Sequence, residues 1–411
     1  MLIHEHKLAY IIGTHPTLTT TFIDREIKTL REMGARIQLL SIRRPRPDVA
    51  LSEKYGEMQK SIIYLLPADA IKLILAHLYF AVLQPLTYFR LLTFLFTRPH
   101  PNHGLQLKTL LHFGEGVYAA YLLRGRDWDQ VHGHFLDRAA TVALCVSRLL
   151  NVPYSLTAHA KDIYVNPVLL PEKLSGAKFV VTCTRYNEAH LARLEGAASN
   201  HRLKCIYHGL DVKDYRPDSG ASSGKPVLMA VGQLKEKKGF TFLLKACRIL
   251  KDRNYDIECQ IVGDGPWREA LEAQIRQLSL ADTVRLCGAL PHQEVVDKYK
   301  RATVFVVPSV LGADGDRDGI PNVILEAMAM QLPVVSTCHS GIPEVVEDGV
   351  NGMLVPPADA SALADALARL LDDPDSRRRF GQRGRQTVVE RFDVERNVTQ
   401  LMAEFTNGRA A

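Results

Sequence analysis

Val227-Leu228-Met229-Ala230-Val231-Gly232-Gln233-Leu234-Lys235-Glu236-Lys237-Lys238-Gly239 is an apolar run that ends at a glycine, followed by a polar loop that ends at another. The run has strand length, and Phe240 to Leu250 behind the loop carries apolar residues at helical spacing. Ile257 to Val262 is the next apolar run. Strand, glycine-bearing loop, helix, strand is the βαβ unit of a doubly wound parallel sheet. The chain also opens this way. Leu8 to Gly13 is followed by a polar loop (Thr14 to Thr21) and a helical pattern from Phe22 to Met33 closed by Gly34; Arg36 to Ile42 is the second strand. The repeat predicts an α/β protein with two Rossmann-like domains, expected to face each other across a cleft.

Asp218 to Lys225 has the Gly/Ser composition of a linker. It would separate residues 1–217 from a second domain at 226–390. The remaining residues, 391–411, hold a helix-like stretch (Val394 to Phe405) that the second sheet does not need, and it is a candidate to cross back onto the first domain.

The 411 residues are 46% hydrophobic and 23% charged, which excludes a disordered or low-complexity chain. The net charge of +6 is uneven: residues 1–210 hold 25 basic and 16 acidic side chains, the remainder 26 and 29. A basic front half suits an anionic partner, with nucleic acid and an anionic membrane surface as the two candidates. The seven cysteines are scattered, without a Cys-x-x-Cys pair, and read as core residues of a reducing compartment. Met1 to Lys7 is polar and reads as no signal peptide, so the expected location is cytoplasmic. Ile71 to Thr97 is rich in Leu, Phe and Ile but is broken by Lys72, Pro85 and Arg90, too soon to span a bilayer. A buried helix pair is the first expectation for it, and a basic apolar face resting on a membrane the second.

Function is expected in the loops that follow strands. The lysine-rich loop Lys235 to Lys238 opens a helix, where free amides and ammonium groups attract anions. A second loop follows the strand Val304 to Val307. It runs through Gly312 to Asp318 into Gly319-Ile320-Pro321-Asn322-Val323-Ile324-Leu325-Glu326-Ala327-Met328-Ala329, a helix with Pro321 at its first turn. Asp318 and Glu326 bracket the start of that helix. The set suits a nucleoside diphosphate sugar: Glu326 on the ribose, Asp318 on the hexose, and helix amides with Lys238 on the diphosphate.

Taken in order, these motifs resemble the donor domain of the family 4 glycosyltransferases, retaining enzymes of the GT-B fold. That family carries Gly-Arg-Leu, Lys-Gly, and a Glu-seven residues-Glu element ending in Glu-Ala-Met-Ala. Here stand Gly232-Gln233-Leu234, Lys238-Gly239, Asp318 with Glu326, and Glu326-Ala327-Met328-Ala329. Val262-Gly263-Asp264-Gly265-Pro266, Pro333-Val334-Val335, Gly341-Ile342-Pro343-Glu344 and Asp348-Gly349-Val350-Asn351-Gly352 are also similar, and Gly288 joins the expected donor site. In the front half, Val131-His132-Gly133-His134-Phe135 and Thr157-Ala158-His159-Ala160-Lys161-Asp162 resemble the family's acceptor-domain loops. Tyr207-His208-Gly209-Leu210-Asp211 resembles its hinge. The loop from Pro16 to Glu26, and Asp314 to Pro321, look most like enzymes of colanic acid and other bacterial exopolysaccharide assembly.

The resemblance implies an acceptor-binding first domain and a donor-binding second. It implies a UDP- or GDP-sugar as donor substrate, a saccharide or lipid-linked saccharide as acceptor, peripheral contact with an anionic membrane, and no nucleic acid, cofactor or metal. His159, Lys238 and Asp318 would be catalytic. Attack would come on the face from which the phosphate leaves, with the phosphate accepting the acceptor's proton. Thr20, Thr21, His132, His134 and Asp162 would line the acceptor side. His132 and His134 could also be two metal ligands on one strand face, and Asp314 and Asp316 a metal-binding pair. The resemblance favours neither. Two departures stand out: Gln233 replaces the family's arginine, removing a cation from the diphosphate, and Asp318 is one methylene shorter than Glu. A nucleotide-sugar epimerase, a phosphorylase and a non-catalytic sugar-nucleotide binder remain alternatives.

Overall fold

The computed structural model describes residues 6–17, 20–45, 59–165, 167–195, 202–217 and 224–407. The chain forms two compact units, Met1–Gly209 with Asn397–Ala411, and Leu210–Arg396. Among its described residues the first holds seven strands: β1 Lys7–Thr14, β2 Arg36–Arg43, β3 Ile63–Tyr64, β4 Gln130–His134, β5 Tyr154–Ala158, β6 Val180–Thr182 and β7 Leu203–Cys205. Their order is β3-β2-β1-β4-β5-β6-β7, with every neighbouring pair parallel. The second holds six: β8 Val227–Val231, β9 Glu258–Val262, β10 Val284–Gly288, β11 Val304–Val307, β12 Val334–Thr337 and β13 Met353–Val355. These too are all parallel, in the order β10-β9-β8-β11-β12-β13. Parallel sheets are covered on both faces, which is why β4, β5, β11 and β12 are buried at every position.

Strand order reverses between β1 and β4 in the first unit and between β8 and β11 in the second. Chains leaving adjacent strands toward opposite sides open a crevice at the carboxyl ends, the usual ligand site of such sheets. The two loops on which the donor reading rests are those that follow β8 and β11.

Two expectations need correction. The predicted linker lies outside the described residues as far as Ser223, and the first unit ends before it. Leu210 bridges to Asp393, its N–H reaches Phe392 O at 2.8 Å, and Arg385 binds Tyr215 O at 2.7 Å. Residues 210–217 therefore pack with the second unit; composition marked a stretch of flexible residue types, whereas packing sets the boundary. At the far end, the helix Val394–Thr406 starts in the second unit, and from Asn397 onward it belongs to the first. Phe405 is buried there with its ring 5.2 Å from His132 and 5.3 Å from Phe179.

Ile71 to Thr97 is the other correction. It forms two helices, Ala70–Leu83 and Pro85–Thr97, bent by 112°. Ala76, Phe80, Tyr88, Leu91 and Leu95 enter the core of the first unit. The opposite face does not: Ile71, Val82 and Leu86 are 70–72% exposed, and Ile74, Leu78, Leu83, Phe89 and Phe96 are exposed beside them. A buried pair accounts for half of these apolar residues only. No single helix among the described residues is long and apolar enough to cross a membrane.

Candidate functional site

In the second unit the loops after β8 and β11 meet backbone to backbone. Gly239 adopts φ +65°, and a Cβ there would lie 1.8 Å from Pro308 O. Gly263, at φ +143°, would put a Cβ 1.9 Å from Gly232 O. Only glycine fits either place. The contact is fastened by Val310 N–H to Lys237 O (2.9 Å) and by Ala313 N–H to the Glu236 carboxylate (3.0 Å). On the other side, Gly232 N–H reaches Val262 O at 2.9 Å, Leu234 N–H reaches Asp264 O at 3.0 Å, and Gly263 N–H reaches Gly288 O at 2.8 Å. Gly265 packs under this loop against Leu234.

This frame delivers two lysines to Asp318. Lys238 Nζ lies 2.7 Å from Asp318 Oδ2 and Lys237 Nζ 3.4 Å from Oδ1, while the Ser309 hydroxyl donates to Oδ2 at 3.0 Å. Burial pushes the Asp318 carboxyl up, but Lys238 and Lys237 outweigh it and hold it down at about 2. Asp316 pairs with Lys237 at 3.0 Å, and Asp314 accepts the Asp316 N–H at 2.9 Å. The Asp-x-Asp pair is thus engaged, Asp316 by Lys237 of the facing loop and Asp314 by a backbone amide of its own. Gly319 and Ile320 lead to Pro321, which precedes the helix Asn322–Ala329; no side chain caps it, so the amides of Asn322 and Val323 face outward from its start. Glu326, on the second turn, accepts the Tyr299 hydroxyl at 3.1 Å. Gln233 is exposed, and among the described residues no carboxylate pairs with Lys235, the one lysine of the loop left to take over the missing arginine's charge.

The first unit gathers histidines at its own switch point. Glu26 is buried on the helix Thr21–Glu32; its Oε1 accepts the Tyr10 hydroxyl at 3.0 Å and lies 2.9 Å from His134 Nε2. His134 Nδ1 is 3.3 Å from His159 Nε2, and His159 Nδ1 is 3.5 Å from His208 Nε2. Burial would raise the Glu26 carboxyl, yet His134 foremost among its neighbours holds it down at about 2. Burial lowers His159 well below its ordinary range and His208 to about 4, so both rings are neutral near pH 7.

His132 and Asp162, expected to face substrate, have internal partners instead. Both His132 ring nitrogens are engaged by β5, by Ser155 Oγ at 2.7 Å and Thr157 Oγ1 at 3.0 Å, and burial lowers it to about 3. Asp162 accepts the backbone N–H of Leu136 and, at 2.8 Å, that of His159. Burial, with Asp137 nearby, still pushes its carboxyl up to about 8. Thr20 and Thr21 start the helix that carries Glu26, with Thr20 Oγ1 2.7 Å from Thr17 Oγ1. Two groups have ligand atoms within 4.8 Å of one another and could hold a metal: Glu26, His132 and His134, and beside them His159, Cys183 and His208. In the first group His132 has no ring nitrogen to spare, and Glu26 and His134 already bond to each other.

The family model for glycosyl transferases group 1 matches residues 211–387. The putative colanic acid biosynthesis glycosyltransferase WcaL of Salmonella typhimurium is 40% identical over 195 residues, 47% of this chain and 48% of that one. The chain thus spans about half the length of that relative. The alpha-D-kanosaminyltransferase of Streptomyces kanamyceticus is 32% identical over 304 residues, 68% of this chain and 77% of that one. The chain belongs to the group 1 glycosyl transferases. Its fold matches that of Anabaena HepE, solved in complex with UDP, with a TM-score of 0.70 over 96% of this chain and 98% of that one at 16% identity. The two parallel-sheet α/β units are those of the GT-B glycosyltransferases.

Several residues of this site escape a sequence reading. Ser309, Lys237 and Tyr299 hold the two carboxylates, yet no spacing links them to Asp318 or Glu326. Glu26 left a signal: it lies in the apolar stripe Ile23, Ile27, Leu30 of its helix, a carboxylate on a buried face. His339 Nε2 and Ser340 Oγ, after β12, are buried and have no hydrogen-bond partner among the described residues.

The Asp318 ion pairs also predict an acid limb to stability. Its folded pKa of about 2 lies below the ordinary 3.8, so the contribution is complete above 3.8 and is lost as pH falls through about 2. Asp318→Asn should therefore lower unfolding free energy at pH 7 by about 2 kcal/mol or more, and by roughly half that at pH 3. Urea unfolding at the two pH values reads the difference; an equal loss at both would remove the ion pairs as its cause.

Proposed function

We propose that the chain is a retaining, metal-independent hexosyltransferase of family 4. It would move a hexose from a UDP- or GDP-sugar to a saccharide or lipid-linked saccharide during cell-surface polysaccharide assembly. The observation that carries this reading is the Lys238–Asp318 pair at the switch point of the second sheet, beside the uncapped start of the Asn322–Ala329 helix. Lysines and free amides suit a diphosphate, and paired carboxylates suit sugar hydroxyls. Support comes from the relative named for colanic acid biosynthesis and from the fold relative solved with UDP.

In this mechanism the donor sits on the second unit. Glu326 takes the ribose hydroxyls, Asp318 the hexose, and the amides of Asn322 and Val323 the diphosphate, with Gly319 to Pro321 shaping the approach. Lys238 stabilises charge as the phosphate leaves, and that phosphate takes the acceptor's proton. Asp318 is braced by two lysines and a hydroxyl, which suits a hydrogen-bonding role better than a nucleophile's. Metal independence is favoured because Asp316 is paired with Lys237 and Asp314 accepts a loop amide. The acceptor sits on the basic first unit, whose exposed helix pair would rest on the anionic cytoplasmic face of a membrane.

Thermal-shift screening against UDP-, GDP- and ADP-sugars, with and without EDTA, is the test. One UDP- or GDP-sugar should stabilise the protein equally in both conditions. The anomeric proton of the first product, followed by NMR, should keep the donor's configuration. An inverted product, or stabilisation abolished by EDTA, would overturn the mechanism; no shift with any donor would favour a non-catalytic protein.

A further inference from the structure

The histidines of the first unit form a chain with a direction. Each link is short enough to carry one hydrogen: 2.9 Å from Glu26 Oε1 to His134 Nε2, 3.3 Å from His134 Nδ1 to His159 Nε2, and 3.5 Å from His159 Nδ1 to His208 Nε2. The ring planes of His134 and His159 lie within 26° of each other, and those of His159 and His208 within 18°. Phe22 and Phe135 pack against the rings, with Phe22 4.2 Å from His208 and Phe135 4.3 Å from His159. The rings are therefore fixed by packing as well as by hydrogen bonds.

A neutral imidazole carries one proton, and the bond at one nitrogen decides what the other can do. Glu26 is an ionised carboxylate and can only accept, so His134 must donate from Nε2. With that as its single proton, His134 accepts the Nε2 proton of His159 at Nδ1, 3.3 Å away. The same step repeats at His208, which donates from Nε2 and keeps a bare Nδ1. No group among the described residues occupies that last nitrogen, and His208 is only half buried. The chain ends in a hydrogen-bond acceptor open to whatever approaches, and a carboxylate three rings away fixes its character.

We propose that Glu26 is a positioning residue that, through His134 and His159, fixes the tautomer of His208 so that His208 Nδ1 accepts a hydrogen bond from a hydroxyl of the acceptor saccharide. The idea rests on the transfer reading above, and it changes the part of His159. With both ring nitrogens engaged, His159 is a link in the chain, and His208 is the ring that reaches substrate. The hydroxyl held is a neighbour of the attacking one, so it orients the acceptor while the attacking hydroxyl keeps its own proton for the departing phosphate.

The chain can be read directly by long-range proton–nitrogen NMR of the whole protein labelled with 15N-histidine, with signals assigned from His134→Phe, His159→Phe and His208→Phe. In the wild type all three rings should carry their proton on Nε2. Glu26→Leu removes the acceptor and should give mixed tautomers, whereas Glu26→Gln keeps a carbonyl oxygen for Tyr10 and His134 and should preserve the pattern. A packing role alone would move the melting temperature in Glu26→Leu and leave the tautomers unchanged. With the donor found by the thermal-shift screen, Glu26→Leu should lower kcat at least roughly 10-fold, with the donor-induced shift retained and Glu26→Gln close to wild type. A proton on Nδ1 of any of the three rings in the wild type, or identical spectra in wild type and Glu26→Leu, overturns the proposal. Failure of every donor to bind would instead sink the transfer reading, and the tautomers would still be measurable.

Discussion

Lys238→Met should abolish almost all sugar transfer while the protein stays folded. The lysine chain lies across Gly232, where a Cβ would come within 3.2 Å of Lys238 Cε, and its ammonium ends 2.7 Å from Asp318. In the proposed mechanism it faces the charge that grows on the departing diphosphate. Removing a single preorganised group of that kind costs about 10²- to 10³-fold in kcat. Met keeps the apolar stem, and Asp318 retains Lys237 and Ser309, so the loop has partners left. Nucleotide release at saturating donor, with melting temperature alongside, makes the measurement. A kcat within a few-fold of wild type would show that the helix amides and Lys235 carry the charge.

The second large effect is expected at the bent helix pair. Val82 and Leu86 lie on either side of the bend at Gln84 and are among the most exposed apolar side chains in the molecule. Exposed Arg90 and Lys108 lie within the same helical region, in a half of the chain with a clear excess of positive charge. Apolar side chains beside basic ones fit an anionic bilayer surface. Wild-type protein should float with phosphatidylglycerol vesicles and much less with phosphatidylcholine. Val82→Asp with Leu86→Asp should reduce binding by roughly 1,000-fold or more, since each buried aspartate costs on the order of 2–3 kcal/mol in the hydrocarbon region. Dimerisation of the wild type without vesicle binding would assign this face to a second copy of the chain.

What the sequence made legible was periodic or glycine-marked. Both βαβ openings, the parallel sheets and the loop that bears Lys238 could be read because strands, turns and helices leave local patterns. Asp318 and Glu326 stood out because a fixed spacing on one helix start links them. The partners that tune these groups were not legible. Lys237 meets Asp316, Tyr299 meets Glu326, and Glu26 meets His134 108 residues away, through packing that no local window contains. His132 misled for the same reason: its neighbour in sequence that matters, His134, points into the same face, but Ser155 and Thr157 on the adjoining strand claim both its nitrogens. The helix pair misled in another way, because apolar composition is the same whether a face meets protein or is left bare.

The helix that begins at Val394 carries Phe405 into the first unit beneath the histidines, where His6 and Lys178 both bond to its carbonyl at 2.9 Å. During synthesis these residues leave the ribosome only after the whole second unit has been made. The first unit therefore waits, with the ring pocket around His132 and Phe179 unsealed, until its own latecomer arrives. The half of the molecule that is translated first is in this sense the last to be finished, and a chain stopped just short of Asn397 would carry an intact sequence for the histidine chain without the wedge that closes it.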